Sequence, residues 1–350
     1  MTASAADEQR PTATIIVGVR NAGDSAPLLA SRLVDAVRRP GVDAVVVDDG
    51  SADDTGAVLA ASFGDEPGIT LIRHEESVGI AVRRNEALRV ARGEVIWFVD
   101  HDDEWSVAGL DTLMRAIGDA DIVFARADFA WGPGPGDRRL IDGVGGWSTP
   151  RTISTGSAAE LMIGSTIHGY LWSKLFRRST LGVDPFPALV SQSDVVGVAR
   201  AVASARSVRV IPDIVYVYRR QPGSITRTRT PDLAALKSAH DGVLVELGGY
   251  VQPDERDVFT ARFLCLAAVK TAVRWGVAGS AMRHTYRSAQ EWARPLSLRA
   301  IFRRSKSLGG SILILKVAPS LLPAALRTAL KALDTLRALR SRTRVGAEAE

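Results

Sequence analysis

The chain has 350 residues, 46% hydrophobic and 24% charged, an ordinary balance for a globular protein with a sizeable core. Its lone cysteine, Cys265, excludes an intrachain disulfide and a thiolate metal cluster and suits a reducing cytoplasm. The formal charge of +5 conceals an asymmetry: from Arg299 to Arg344 eleven Lys and Arg meet one acid, Asp334, a local balance of +10 that leaves the remainder at −5.

Residues 1–12 carry Asp7, Glu8 and Arg10 with no apolar core, so a disordered lead-in is expected there, neither signal peptide nor membrane anchor. Short apolar runs then predict strands at residues 14–19, 44–48, 69–73, 94–99 and 121–126. Helices are expected between them, near 26–38, 53–62, 80–91 and 107–117. Local signals mark their ends: Asp24 or Ser25 before Pro27, Gly93 after the third helix, Ser106 before the fourth. Such alternation with short connections predicts a parallel sheet covered on both faces.

Residues 127–157 are dense in Gly and Pro, including Gly132-Pro133-Gly134-Pro135-Gly136, and predict a loop that could serve as an active-site flap. A second αβ portion follows, with strands near 170–176, 207–211 and 215–219 and a helix near 193–205. From Pro231 helical periodicity dominates. The apolar stretch 312–330 is interrupted by Lys316, Pro319, Pro323 and Arg327, which argues against a membrane-spanning helix.

In the last expected helix Leu322, Leu326, Ala329, Leu330, Leu333 and Leu336 share one face, with Arg327 and Lys331 opposite and Arg337, Arg340, Arg342 and Arg344 trailing. The pattern suits an interfacial helix drawn to an anionic membrane surface, and equally a helix packed on its own protein. Leucines, not aromatics, alternate with the basic residues, and no nucleic-acid-binding signature occurs elsewhere.

The stretch Val95-Ile96-Trp97-Phe98-Val99-Asp100-His101-Asp102-Asp103 runs five apolar residues into three carboxylates. They fall at a strand's C-terminal end, where open α/β sheets bind ligands. Converging carboxylates repel one another unless a cation joins them. Hard oxygen ligands suit Mg²⁺ or Mn²⁺, ions that usually arrive bridged to substrate phosphates. An acidic solvated turn is the plain alternative. The second strand ends in Val45-Val46-Val47-Asp48-Asp49-Gly50-Ser51, where a carboxylate could accept a hydrogen bond from a base or ribose, or merely build a turn. Ser191 and Asp194, three residues apart at a helix start, form a capping-box-like pair.

The third helix opens with Val78-Gly79-Ile80-Ala81-Val82-Arg83-Arg84-Asn85 and leads through Gly93-Glu94 to the acidic strand. Over residues 14–105 this order of motifs resembles the family 2 glycosyltransferases with the GT-A fold: Val-Val-Asp-Asp-Gly-Ser, then Gly-Ile-Ala with Arg-Asn-x-Ala-Leu, then Gly-Glu, an apolar strand and Asp-x-Asp-Asp. Lys174-Leu175-Phe176-Arg177-Arg178, Tyr216-Val217-Tyr218-Arg219 and Ser224-Ile225-Thr226 extend the resemblance to members that decorate or extend bacterial surface polymers.

The resemblance implies a GT-A nucleotide-binding sheet flanked by helices over residues 13–230, followed by a mainly α-helical region over 231–350. It also implies an inverting hexosyl- or N-acetylhexosaminyltransferase at the inner face of the plasma membrane, moving sugar from a UDP-sugar to a polymer or lipid-linked glycan. Gly18, Val19, Asn21 and Asp48 would receive uridine. Gly79, Arg84, His101, Asp103, Trp105 and Arg219 would join the donor site. Asp100 and Asp102 would bind Mn²⁺ or Mg²⁺, Asp102 the more directly. Asp194 would be the base that takes the acceptor proton.

Gly18, Arg20, Ser77 and Ser193 depart from the family's usual Pro, Tyr, Asn and Glu. Lys174, Arg177, Arg219, Arg220 and His168 are further candidates for anion contacts, with structural pairing as their alternative. A sugar-phosphate nucleotidyltransferase would carry a Gly-rich, Arg-containing loop after the first strand, where this chain has Gly18-Val19-Arg20-Asn21-Ala22-Gly23. A non-catalytic nucleotide-sugar-binding scaffold at the membrane is the rival of another class.

Overall fold

The computed structural model describes residues 12–132, 134, 137–219, 232–322 and 326. The expected lead-in 1–11, Arg220, the Ser224-Ile225-Thr226 motif, the domain border at 230/231 and the basic tail from Arg327 onward lie outside the described residues. The chain divides into two compact units, 1–133 with 137–222, and 134–136 with 223–350.

In the first unit, β1 (Ala13–Val19) and β2 (Val42–Asp48) are buried at every position, the mark of strands covered on both faces. Between and after them come α1 (Ala26–Val37), α2 (Thr55–Phe63), β3 (Ile69–Arg73), α3 (Ile80–Val90) and β4 (Val95–Asp100). β5 (Glu104–Trp105), α4 (Val107–Ile117) and β6 (Ile122–Ala130) follow. Ser106 starts α4 by accepting a hydrogen bond from the Gly109 amide, and Leu110 and Leu113 give the helix its buried stripe. Then come β7 (Arg138–Ile141), β8 (Arg151–Ser154), α5 (Thr155–Ile163), β9 (Lys174–Arg177), α6 (Arg178–Leu181), α7 (Ser193–Ser204) and β10 (Ser207–Arg219).

The sheet order is β3-β2-β1-β4-β9-β6-β10-β5, with β7 added to β6 and β8 to β10. β3, β2, β1 and β4 are mutually parallel, as the alternating pattern predicts. β9 runs antiparallel between β4 and β6, a placement that nothing local in its sequence encodes. Trp97 and Phe98 fill the two faces of β4. Trp97 Nε1 donates to the Trp172 carbonyl at 2.8 Å, and Phe98 meets Phe176 and Phe186 edge-on.

Three expectations need correction. Residues 127–157 are not one loop: β6 continues to Ala130, and β7 and β8 pair with edges already built, because the Gly-Pro run is confined to the connection between β6 and β7. The strand expected over 170–176 is formed only by Lys174–Arg177. The strands expected at 207–211 and 215–219 are one element, β10, whose register shifts between Val210 and Tyr216; Pro212 lies in that interval and has no amide to give the ladder.

The second unit is helical: α8 (Leu233–Leu247), α9 (Pro253–Phe259), a π-helical turn at Thr260–Leu266, α10 (Ala267–Arg274), α11 (Gly279–Ala293), α12 (Leu298–Arg304) and α13 (Lys306–Val317). Ala261, Cys265, Val269, Ala289, Ile301, Ile312 and Leu315 form its core. Burial pushes the Cys265 thiol up to about 12, so it is an inert apolar side chain here. Leu322 and Leu326 of the expected apolar stripe join this core. Among the described residues no helix is long and apolar enough to cross a membrane.

Candidate active site at the carboxyl edge of the sheet

Strand register assembles the candidate residues. Gly18 lies opposite both Val47 and Asp100, and Val19 opposite Asp48, so all fall at the carboxyl edge of β1, β2 and β4. A Cβ on Gly18 would lie 2.0 Å from Ile80 Cδ1, so its departure from proline leaves room for the first residue of α3. Asn21 adopts φ +49°, donates its amide to Ser51 Oγ at 2.9 Å and accepts from the Ala52 amide at 2.8 Å. Asp48 accepts from the Ser51 amide and hydroxyl at 3.1 and 2.5 Å. These bonds lace the turns after β1 and β2 together.

Asp48 and Asp49 look alike in sequence, yet adjacent residues leaving a strand point to opposite sides. Asp49 carries a role that the sequence reading missed. Its carboxylate accepts from Ser77 Oγ at 2.7 Å, from the amides of Val78 and Gly79 at 2.9 Å each, and from Arg83 Nε at 2.8 Å. Burial acts to raise this carboxyl, and those four donors outweigh it, leaving it below the usual range. Ser77, another departure from the family pattern, supplies one of them. Gly79, at φ +100°, then turns the chain into α3.

At the acidic corner Asp100 pairs with Arg84 at 2.8 Å. His101 Nδ1 meets Ser25 Oγ at 2.8 Å. Burial, and Asp100 against the opposing pull of His101, push Asp102 up. Asp103 and Trp105 are buried. Asp103 accepts from Tyr216 Oη at 2.8 Å and the Arg219 amide at 2.7 Å, and burial with Asp100 pushes it up to about 8. Trp105 stacks edge-on against Trp97. The guanidinium of Arg219 pairs with Glu104. Arg177 is spent on the Ala120 and Gly118 carbonyls. His168 is lowered by burial and by Lys174.

Asp194 lies in the first turn of α7. The capping box expected of Ser191 is not formed: Gln192 is the N-cap, in a left-handed conformation at φ +66°, and gives no side-chain cap. Burial pushes the Asp194 carboxyl up; Arg84 pulls it down and Asp100 raises it further. The Arg84 charge therefore acts on both carboxylates. The loop before α7 is anchored by Asn85 of α3, whose amide donates to the Phe186 carbonyl at 2.8 Å and accepts from the Phe186 amide at 3.1 Å. Phe186 in turn seats on Gly197, where a Cβ would lie 2.3 Å from the ring.

Asn85→Ala would strand the buried Phe186 N–H and C=O together. It is expected to lower unfolding stability by roughly 2–4 kcal/mol, measured in urea. A loss under about 1 kcal/mol would mean that the loop does not depend on this bridge.

Among the described residues no group of three or more His, Cys, Asp or Glu side chains gathers to hold a metal ion. Asp100 and Asp102 nevertheless fit a hard divalent cation: both offer oxygen, and their mutual repulsion is what such an ion relieves. Two carboxylates suffice where substrate phosphates complete the shell.

Sheet order, helices on both faces and an acidic corner at the strand ends define a GT-A type fold. Residues 14–169 match the model of Glycosyl transferase family 2. An 83-residue stretch is 41% identical to an uncharacterised protein of Mycobacterium tuberculosis, covering 24% of this chain and 25% of that one. The succinoglycan biosynthesis protein ExoU of Rhizobium meliloti is 29% identical over 66% of this chain and 68% of its own. The putative glycosyltransferase EpsH of Bacillus subtilis is 27% identical over 53% and 54%. The chain thus spans a quarter to about two thirds of the length of these relatives. Among solved structures, residues 1–349 of Staphylococcus aureus TarS in complex with UDP-GlcNAc align with TM-score 0.70 at 17% identity, covering 92% of each chain. A mannosyltransferase of Pyrobaculum calidifontis, in complex with GDP-Man and Mn²⁺, aligns with TM-score 0.50 at 20% identity over 93% and 88%. These structural likenesses establish the fold.

Proposed function

We propose that the chain is an inverting, metal-dependent glycosyltransferase that moves a sugar from a UDP-sugar to a hydroxyl of a cell-surface or lipid-linked polymer. The observation that carries this reading is the placement of Arg84, which pairs with Asp100 at the acidic corner and whose charge also acts on Asp194. One cationic side chain thereby links a candidate diphosphate-metal site with a candidate base. Relatives named for succinoglycan biosynthesis, and a structural neighbour holding UDP-GlcNAc, support the donor and acceptor classes.

In this reading Asn21 and Asp48 hold the uridine, and Asp100 and Asp102 hold Mn²⁺ or Mg²⁺. The cation would supply neutralisation of the departing diphosphate. Asp194 takes the proton from the acceptor hydroxyl as that oxygen attacks the anomeric carbon. Asp103, tied to Tyr216 and the Arg219 backbone, and Trp105, packed on Trp97, serve as the rigid floor of the corner. The basic residues from Arg327 to Arg344 favour attachment to the anionic inner face of the plasma membrane.

The test is a panel of nucleotide-sugars with Mn²⁺, scored for UDP release with and without chelator. Release from a UDP-sugar, abolished by chelation, is expected. Release indifferent to chelator would remove the metal from the mechanism, and metal-dependent UDP binding with no transfer to any acceptor would favour the non-catalytic scaffold.

A further inference from the structure

The segment leading into β9 is pressed against the first turn of α7. A Cβ on Gly169 would lie 2.4 Å from Val195 Cγ2 and 3.0 Å from Val195 Cα, so this approach depends on residue 169 having no side chain. Val195 follows Asp194 directly, and the contact brings the 168–174 segment alongside the candidate base. Lys174 sits in that segment with only 2% of its surface exposed. Its ammonium donates to the Tyr170 carbonyl and lies 4.8 Å from the centroid of the Phe124 ring.

A carbonyl dipole and an aromatic face do not offset the desolvation of a buried ammonium, which needs a counter-charge. Among the described residues, Asp194 is the carboxylate whose charge acts on Lys174. We propose that Lys174 is a positioning residue for proton transfer, its buried ammonium keeping the Asp194 carboxylate ionised until the acceptor hydroxyl arrives. This rests on the reading of Asp194 as the base.

In the step itself the acceptor O–H proton goes to Asp194 and the acceptor oxygen bonds to the anomeric carbon. The bond from that carbon to the diphosphate oxygen breaks, and its electron pair leaves with UDP. Lys174 exchanges no proton. Its influence is electrostatic, and it is not the only charge present: Asp194 also faces Arg84 from α3, Asp100 from β4 and Tyr170 from the segment before β9. Lys174 faces Asp194 and His168, and His168 faces Asp142. Arg84 exerts the stronger pull on Asp194 but is engaged by Asp100 at 2.8 Å, whereas the charge of Lys174 is answered by Asp194.

Burial pushes Lys174 down to about 7 and Asp194 up. The sign of the test follows. Below pH ~7 Lys174 is charged and favours the Asp194 carboxylate, so removing it makes that carboxylate harder to form. In Lys174→Met the acidic limb of the kcat/KM profile is expected to move up by about one pH unit, a loss of roughly tenfold at pH values below the limb with the plateau largely kept. Lys174→Gln, which leaves a polar group in the same space, is expected to move the limb in the same direction. Limbs that superimpose on the parent profile in both variants would overturn the proposal.

A double-mutant cycle on urea unfolding with Lys174→Met, Asp194→Asn and the pair separates this inference from the reading beneath it. Single losses larger than the double loss requires are expected of paired charges, and strict additivity would overturn the pairing. Coupling in the cycle with full turnover by Asp194→Asn would overturn the base assignment alone.

Discussion

Asp194→Asn is expected to lower kcat/KM by about 10²–10⁴-fold, the usual contribution of a positioned general base, while the protein remains folded. The substitution keeps shape and one hydrogen-bonding oxygen but removes the only group at this position able to take a proton. Because burial holds the Asp194 carboxyl above its usual range, activity of the parent protein should rise as pH climbs through that raised value. Residual activity of the variant should lose this limb and run flat across the same interval. The measurement is steady-state UDP release against pH, with circular dichroism as the check on folding. A variant within about threefold of the parent would remove Asp194 from the chemistry.

The second large effect is structural. Asp49→Ala is expected to cost about 3–5 kcal/mol of unfolding free energy, because it leaves the buried guanidinium of Arg83 short of its main partner. Ser77 Oγ and the amides of Val78 and Gly79 lose their acceptor at the same time. Glu86, 3.1 Å from Arg83, retains part of the compensation. The same carboxylate makes stability depend on acid. Since its folded pKa lies below the unfolded value, its contribution is complete above the ordinary Asp range near ~4 and is lost as pH falls toward the folded value. Urea unfolding of both proteins at neutral and acidic pH tests this. The gap between them should be widest at neutral pH, and a neutral-pH gap under about 1 kcal/mol would contradict the clamp.

The placement of the first strands and helices was legible because it depends on short stretches. Helices at Ala26–Val37 and Val107–Ile117 begin and end within a residue of their sequence-based limits, since periodic burial, Ser106 and Gly118 act over a few residues. The acidic corner was visible for the same reason: an apolar strand running into Asp100 and Asp102 places them at one end whatever surrounds it.

Other features were not legible, on the same logic. Asn85 looks like any polar residue on a helix, but its partner Phe186 lies 101 residues further along the chain. β7 and β8 look like turn sequence because their stability comes from β6 and β10 rather than from their own propensity.

What the chain determined alone is the parallel half of the sheet, its carboxyl-edge acids and the resemblance that those ordered motifs carry. Tertiary structure decided the division of labour: Asp48 holds the turn at Ser51 while Asp49 locks α3, Arg84 pairs with Asp100 and acts by its charge on Asp194, and Lys174 is buried in the segment pressed against α7. Periodicity and turn chemistry are properties of neighbouring residues, whereas a charge's role depends on which distant side chains burial brings to it and how little water is left between them.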